Sequence, residues 1–336
     1  MSSSRPTIRD VADRAGVSVA TISKVMNGRD GVAEDTRQRV KNVVDELGYV
    51  SRIGAQSLRA MRTGVIGVLV SGFEPYATEV LKGVAQGALH VPAVEIMAWS
   101  GTVGDAPPPT GWESRLLLRL GGSLIDGAIV IAPSLIDDPL LDLPLVMVDP
   151  HQGGERYPSV RVDDRDGARQ AVDHLVELGH RRIGYLGGRA DLESARERRA
   201  GYREAMSAHG LSTDGLMTEG DYTWNGAVGP ATRLLHLPER PTAIFASNDM
   251  SALCVIEIAH AMGLEVPRDL SVIGFDDIPD ANRAAHPLTT VAQPLTEIGV
   301  QAIAMLSDLL RGRTPEHQHL RLEAHLRTRG TTAAPA

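Results

Sequence analysis

The sequence is poor in cysteine and in aromatic residues. Its 336 residues include one cysteine, Cys254, and only 3 Trp, 6 Tyr and 3 Phe. A single cysteine cannot form an internal disulfide, and because Cys254 lies among apolar residues we expect a small buried side chain without a redox role. With so few aromatic residues, the place of each one along the chain becomes informative.

Long apolar runs and catalytic signatures are missing as well. Residues Met1 to Arg5 contain no apolar signal core, and no run approaches the roughly 18 apolar residues that span a bilayer. The chain has no GxSxG nucleophile turn and no phosphate-binding GxxxxGKS or GxxxxGKT loop, and its 11 histidines are scattered. We therefore expect a cytoplasmic protein without a membrane segment, a metal, a cofactor or catalytic residues.

Positive charge is concentrated at the N-terminus. The whole chain has a net charge of -8, but residues 1–62 contain 11 Lys or Arg against 7 Asp or Glu. This segment carries +4, which leaves -12 on the remainder. Because phosphate binding requires a positive surface, the distribution favours a nucleic-acid partner for the N-terminal segment alone.

Residues 7–47 show helical periodicity in three short segments. Thr7 can cap a first helix, which Gly16 ends, and Ser18 can cap a second one. A third helix is predicted from about Glu34 to Leu47. The spacing of the apolar residues predicts a compact three-helix unit whose second helix leaves four side chains on its outer face: Val19, Ala20, Ser23 and Lys24.

Beyond about Gly64 the pattern changes to short aliphatic runs, each followed by a loop and a helical stretch. Continuous apolar runs are typical of parallel strands covered on both faces. Seven or more such units exceed one sheet of ordinary size, so we expect an α/β fold of two doubly wound lobes with a ligand cleft at the carboxyl ends of the strands. The predicted strands are Val65–Val70, Val94–Ala98, Gly127–Ala132, Leu145–Asp149, Arg182–Leu186, Ala243–Ala246 and Ser271–Phe275.

A series of motifs runs along the whole chain. The strongest is TIRDVADRAGVSVATISKVMNG at Thr7–Gly28, followed by VAEDTRQRVKNVVDELGY, AQSL, TGVIGVLV, HRRIGYLG, RRAGY, ASNDM, VIGFDD and LTTVAQ. In this order they resemble the lactose/galactose repressor (LacI/GalR) family of bacterial transcriptional regulators. The resemblance implies a helix-turn-helix headpiece at 1–50, a hinge at 51–63 and a two-lobed, periplasmic-binding-protein-like sensor and dimerisation domain at 64–330. Residues 331–336 are predicted to be a frayed tail.

The resemblance also implies how the headpiece contacts DNA. The positions of Val19, Ala20 and Lys24 contact bases in the family, and Lys24 can donate to guanine, whereas the other two offer only apolar contact. Thr21 and Ser23 are better assigned to phosphates, which position the protein without specifying a sequence. The alternative interpretation is a three-helix bundle that binds another protein and no nucleic acid.

In the family, a hinge segment folds on DNA and inserts a leucine into the minor groove. Ala55 and Leu58 are the matching residues here, and an apolar wedge of this kind kinks the duplex. Ser51 and Gln56 stand where the family usually has a proline and an arginine. The alternative for Leu58 is an ordinary linker leucine packed on the sensor.

Aromatic and planar polar residues gather around the predicted strand ends. Sugars bind through aromatic faces and through planar polar groups that contact paired hydroxyls. Helix caps and structural ion pairs are the alternative for each polar residue taken singly. From residue type and resemblance together, the predicted effector contacts are Phe73, Tyr76, Trp99, Asp149, Ser194, Arg198, Tyr222, Asn248, Phe275, Asp276 and Gln293.

These observations predict a homodimer that binds double-stranded, near-palindromic operator DNA and changes its affinity when a small effector, a sugar, binds. A repressor of carbohydrate uptake or catabolism genes fits this scheme, with a tetramer as the alternative assembly. A purine or nucleoside effector is the rival within the same class. A solute receptor and an enzyme acting on sugars or nucleotides are the rivals from other classes, and turnover of a bound ligand would identify the enzyme.

Overall fold

The computed structural model describes residues 7–26, 31–47, 62–102, 109–121, 124–133, 143–151, 156–283 and 286–336. The chain divides into two compact units. One comprises Met1–Val65 with Leu120–Asp126, and the other comprises Ile66–Arg119 with Gly127–Ala336.

Within its described residues up to Leu47, the smaller unit contains three helices: α1 (Ile8–Ala15), α2 (Val19–Met26) and α3 (Glu34–Leu47). Thr7 and Asp10 form a capping box at the start of α1, and Gly16 ends this helix with a φ of 64°. The three-helix prediction is confirmed. Its buried core consists of apolar residues from all three helices: Val11, Ala12, Ala15, Ile22, Val25, Val40 and Val43.

The larger unit contains two six-stranded sheets, which define two lobes. The sheet of the first lobe has the order β11-β5-β4-β3-β1-β2, and that of the second lobe has the order β12-β10-β9-β8-β6-β7. The antiparallel pair of β12 with β10 is the exception among pairings that are otherwise parallel in the described residues. The strands are β1 (Val65–Val70), β2 (Glu95–Ser100), β3 (Gly127–Ile131), β4 (Leu145–Val148), β5 (Ser159–Val162), β6 (Ile183–Gly187), β7 (Met217–Glu219), β8 (Ala243–Ala246), β9 (Ser271–Asp276), β10 (Thr289–Ala292), β11 (His319–Leu322) and β12 (His325–Arg327).

Helices cover the sheets. They are α4 (Pro75–Ala88), α5 (Trp112–Leu120), α6 (Asp164–Glu177), α7 (Glu193–Ala208), α8 (Trp224–Leu235), α9 (Asp249–Ala261) and α10 (Leu295–Leu310), with a 3-10 turn at Pro279–Asn282. Helix α4 packs on α10, α6 on α7, and α8 on α9. The backbones of α4 and α10 lie so close that a Cβ added to Gly83 would be 2.1 Å from the backbone oxygen of Thr296, so only glycine fits there.

The chain passes between the lobes three times. The first passage follows β5, the second follows β10, and the third is the two-residue link Glu323–Ala324 between β11 and β12. After the second passage, α10 packs on α4 of the first lobe. Residues that follow β5 and β10 therefore occupy the connections on which the relative position of the lobes depends.

All seven predicted strands are present, but five further strands were not predicted. These are β5, β7, β10, β11 and β12, each of three or four residues. They are short and carry polar side chains, as in HLRL at His319–Leu322 and TTVA at Thr289–Ala292, so they lack the apolar run on which the prediction depended. The two-lobed α/β architecture is confirmed.

The predicted frayed tail is wrong for its first residues. Thr331 is fully buried, and its Oγ1 donates to Val272 O over 2.7 Å while accepting from Thr289 N over 2.9 Å. Ala333 O accepts a hydrogen bond from Ser271 Oγ over 3.0 Å. The small polar residues resemble a loop in sequence, but here their hydroxyl and backbone groups pair with the edge of the second lobe.

Cys254 is fully buried within α9, as predicted. Among the described helices, none is both long and apolar enough to cross a bilayer.

Candidate functional site

The outer face of α2 is the first candidate site. Ser18 Oγ accepts a hydrogen bond from Thr21 N over 3.1 Å, which caps the helix as predicted. Ala20 and Lys24 are exposed and Val19 is 39% exposed, so all three are available for contact. The helix therefore presents short side chains and one ammonium group, a surface that can enter a major groove.

Two predicted phosphate contacts also belong to α2. Thr21 is half-buried, and its Oγ1 lies 2.9 Å from Ser18 Oγ, so the two hydroxyls share a hydrogen bond. Ser23 lies within the helix, and its side chain is outside the described residues. The predicted hinge residues Ala55 and Leu58 are also outside them, so the hinge stays a prediction.

The second candidate site surrounds a buried guanidinium group in the larger unit. Arg198 lies on α7 with 4% of its surface exposed. Its Nε donates to Asp164 Oδ1 over 2.7 Å, and its Nη1 donates to Ser247 O and, over 3.4 Å, to Asp276 Oδ1. Its Cζ also lies 3.7 Å from the centroid of the Phe275 ring. The hydrogen bonds hold the edge of the guanidinium, and the Phe275 ring packs against its face.

The loops after β9 and β10 join this cluster. Gln293 follows β10, and its Nε2 donates to Asp276 Oδ1 over 2.7 Å. The same Asp276 oxygen therefore receives hydrogen bonds from both Gln293 and Arg198. Tyr222 completes one side, because its ring centroid lies 5.6 Å from Arg198 Cζ and its hydroxyl lies 3.4 Å from Ser194 Oγ.

Burial dominates the electrostatics of this cluster. It raises the pKa of Asp164 and of Asp276 to about 7, although the nearby Arg198 charge acts in the opposite direction. Burial also raises the pKa of Asp149, again against the pull of Arg198. The pKa of Tyr76 is raised well above its usual value by burial and then by the charges of Asp149, Asp276 and Asp164. Tyr76 on α4 therefore lies within electrostatic range of three carboxylates.

The backbone is unusual at the same place. Among the described non-glycine residues, those with positive φ include Ala132, Asp149, Tyr222, Asp276 and Asp277, and each follows or ends a strand at its carboxyl end. The φ of Asp276 is 114°, far from any conformation that side chains favour. Such conformations cost about 1–3 kcal/mol each and concentrate at functional sites. The carboxyl edges of the strands are therefore shaped for something other than stability.

The structure brings most of the predicted effector residues together. Asn248 caps α9 by accepting from Ser251 N over 3.0 Å, as its structural alternative predicted, and it also donates to Tyr222 O over 2.9 Å. In the described residues no hydrogen bond or ring contact joins Phe73 or Trp99 to Arg198. The residues that share the cluster are Tyr76, Asp149, Ser194, Arg198, Tyr222, Asn248, Asp276 and Gln293.

Phe275 requires a correction. It was predicted as an effector contact at the end of the strand Ser271–Phe275, but it lies inside β9 with no exposed surface. One face of its ring carries the Arg198 guanidinium, and a Cβ added to Gly167 would lie 2.9 Å from its edge. Phe275 therefore supports Arg198 from within the core and has no free face for a ligand.

Asp164 is the residue that sequence analysis missed. Because the short strand β5 was not predicted, nothing placed Asp164 at a strand end beside Arg198. The described residues contain no group of three His, Cys, Asp or Glu that could hold a metal ion.

Comparison with known proteins identifies the family. The model for bacterial regulatory proteins of the lacI family matches residues 7–51, and the periplasmic binding protein-like domain matches residues 172–332. The HTH-type transcriptional regulator CelR of Thermobifida fusca is 34% identical over 97% of this chain and 98% of its own length. The HTH-type transcriptional repressor CytR of Escherichia coli strain K12 is 31% identical over 98% and 96%.

The chain belongs to the lacI family of bacterial regulatory proteins. Its relatives are transcriptional regulators and not enzymes. Among solved structures, the Lac repressor dimer bound to operator and the anti-inducer ONPF has a TM-score of 0.82 at 27% identity, covering 98% of this chain and 100% of that one. The CelR–cellobiose complex has a TM-score of 0.71 at 34% identity, covering 97% and 100%. This lacI-family chain is therefore a ligand-responsive transcriptional regulator of the repressor class.

Proposed function

We propose that this regulator binds a near-palindromic operator as a homodimer in the cytoplasm and that a carbohydrate effector changes its affinity for DNA. The observation that carries the proposal is the pairing of an exposed, capped helix α2 with a buried Arg198 cluster at the strand ends. Helix α2 serves to contact bases, and the Arg198 cluster serves to bind a small polar molecule. The Lac repressor dimer bound to operator supports the assembly.

For DNA recognition, we assign base contacts to Val19, Ala20 and Lys24 and phosphate contacts to Thr21 and Ser23. Lys24 is the only one of the three base-contacting side chains that can donate a hydrogen bond, so sequence preference at its base pair depends on it. The hinge assignment of Ala55 and Leu58 supplies a minor-groove wedge. Because two of the three base-contacting side chains are apolar, DNA deformability contributes to specificity.

For the effector, we assign hydrogen bonds to the polar members of the cluster and apolar contacts to its rings. Carboxylates and a guanidinium bind paired hydroxyls, while aromatic faces contact C–H groups. The CelR–cellobiose complex, at 34% identity, supports a carbohydrate. The polar residues are Asp149, Ser194, Arg198, Asn248, Asp276 and Gln293, and the aromatic residues are Phe73, Tyr76, Trp99 and Tyr222.

A purine or nucleoside is the second candidate effector. Stacking on a base requires an accessible aromatic face. Phe275 is fully buried, so within the cluster stacking would depend on Tyr76 or on Tyr222, whose ring centroid lies 5.6 Å from Arg198 Cζ. The cluster contains more carboxylate and amide groups for hydroxyls than rings for a base, and this favours a carbohydrate.

Selection of binding sites from random DNA by the full-length chain tests the proposal. We expect a symmetric site with two protected half-sites on footprinting, and an affinity that falls steeply with salt. A thermal-shift screen against sugars and nucleosides then identifies the effector class. Protection of a single asymmetric site, or an affinity for DNA that salt does not change, would contradict the dimeric operator model.

A further inference from the structure

We propose that the Arg198 cleft accepts an uncharged, hydroxyl-rich effector and rejects phosphorylated or carboxylated ones. The inference rests on the proposed function, since it concerns the ligand of the same cleft. It is carried by the arrangement of three carboxylates, from Asp149, Asp164 and Asp276, around one buried guanidinium.

The guanidinium of Arg198 has little capacity left for an anion. Its Nε and Nη1 already donate to Asp164, Ser247 and Asp276, and the Phe275 ring covers one face of the guanidinium plane. In the described residues only Nη2 has no hydrogen-bond acceptor. A phosphate or carboxylate binds arginine best through two parallel donors, and that fork is not free here.

The carboxylates instead provide acceptors for hydroxyl groups. Asp276 offers Oδ2 beyond the two bonds made by its Oδ1, and Asp149 accepts no side-chain hydrogen bond among the described residues. Hydroxyls can donate to these oxygens and can accept from Arg198 Nη2. A neutral polyol therefore matches the donor and acceptor groups that are present.

Three other basic side chains near the cluster, among the described residues, are paired or uncharged. Arg161 is paired with Glu193, its Nη1 lying 2.8 Å from the carboxylate, and Arg189 is paired with Asp191. Burial lowers the pKa of His151 to about 4, so this side chain is neutral near pH 7.

Arg196 is a further cation near the cluster. It lies two residues before Arg198 on α7, where side chains do not face each other, and it donates to the backbone oxygens of Asp191 and His151. It is exposed, so water and salt screen its charge.

The charge of the cluster depends on pH. At pH 8, above the raised pKa of about 7 of Asp164 and of Asp276, these two carboxylates outnumber the one guanidinium of Arg198. An anionic ligand would then bring its charge to a group of buried side chains that is already more negative than positive. Repulsion between a bound anion and these carboxylates in a partly buried site corresponds to a loss of affinity of about 100-fold or more.

Binding to matched ligand pairs at pH 8, where Asp164 and Asp276 are ionised, tests the proposal on the full-length chain. The pairs are glucose with glucose 6-phosphate and with glucuronate, galactose with galactose 6-phosphate, cellobiose with cellobionate, and adenosine with adenosine monophosphate. Thermal shift detects binding, and titration calorimetry measures the affinities. We expect at least one neutral sugar to bind and each acidic counterpart of a binder to bind at least 100-fold more weakly. An acidic member that binds as tightly as its neutral parent overturns the proposal, and so does a panel in which no neutral sugar binds.

The Asp164→Asn variant supplies the second measurement. Removing one carboxylate is expected to narrow the preference for the neutral member at least tenfold. Asp214→Asn is the matched control, because it makes the same charge change at an exposed loop residue and is expected to leave the preference unchanged. An equal narrowing in both variants would show that net charge, and not the cleft, sets the preference. Operator selection is measured separately, so loss of the symmetric DNA site would refute the proposed function without involving this inference.

Discussion

Replacing Asp164 by Asn is expected to stabilise the ligand-free protein above pH 7 and to leave its stability almost unchanged near pH 5. Asp164 is 7% exposed, and burial raises its pKa from 3.8 to about 7. Between these values the folded protein keeps a proton that the unfolded chain has lost. The folded state then binds more protons, so the free energy of unfolding falls as the pH rises towards 7.

The size of this change in the free energy of unfolding follows from the interval between the two pKa values. Each pH unit between the two pKa values corresponds to about 1.4 kcal/mol for one group, so raising the pH from 5 to 7 costs about 3 kcal/mol through Asp164. For a unit of this size that is a fall of about 5 °C in Tm. Asn resembles the protonated acid, and its Oδ1 can still accept from Arg198 Nε. Arg198 also keeps Asp276, so no buried charge is left unpaired.

Thermal melts of the wild type and Asp164→Asn from pH 5 to 8 measure the difference, with Asp214→Asn as the control for an exposed carboxylate. The wild-type Tm is expected to fall across this range. The Tm of the variant is expected to fall by about half as much, since Asp276 still contributes its own pH dependence. The reasoning would be refuted by a variant that is less stable than the wild type at pH 8. If the ionised Asp164–Arg198 pair stabilises the fold, the variant will be less stable at pH 8 by about 3–5 kcal/mol.

Three further predictions concern the headpiece, the cleft and the C-terminus. Lys24→Ala is expected to flatten the base preference at one position of each half-site while total affinity for DNA falls less, which site selection at fixed salt would show. Arg198→Ala is expected to abolish the effector-induced thermal shift and to preserve operator binding in gel-shift assays, so retention of the shift would remove Arg198 from the effector site. Thr331→Val is expected to lower the free energy of unfolding by about 2 kcal/mol in denaturant titrations, because Val272 O and Thr289 N lose their shared hydroxyl partner; an unchanged midpoint would mean that the segment is not held as described.

The headpiece could be predicted from sequence because its signals are local. Helix spacing, the Thr7 capping box and the stop at Gly16 act within a few residues of each other. The core at Val11, Ile22 and Val40 then follows from the periodicity of each helix. The contacts that its outer face makes with DNA depend on a partner, so they came from the resemblance and not from the spacing.

The cleft could be predicted only in part, because its contacts join distant segments. Arg198 and Asp276 were predicted from the family pattern. Arg198 Nη1 lies 3.4 Å from Asp276 Oδ1, although 78 residues separate the two in sequence. Asp164 was missed because its position depends on β5, a strand of four residues that the apolar pattern does not indicate. Phe275 was misplaced for a related reason: the strand continues one residue further than the apolar run, to Asp276, and buries the ring.

The position of the cluster on the chain explains how a bound ligand can act beyond its own contacts. Asp164 opens α6 directly after the chain leaves β5 of the first lobe, and Gln293 follows β10 directly before α10 returns to that lobe. Both side chains are tied to the same core of the cluster, Asp164 through Arg198 and Gln293 through Asp276. A ligand bonded to Arg198 and Asp276, as proposed, would therefore act on two of the three connections between the lobes. Connections of this kind can absorb the backbone rotations of domain closure, so a small change there would be amplified into a change of lobe position. An effector needs only to bind one such arrangement more tightly than the other to shift the population between them.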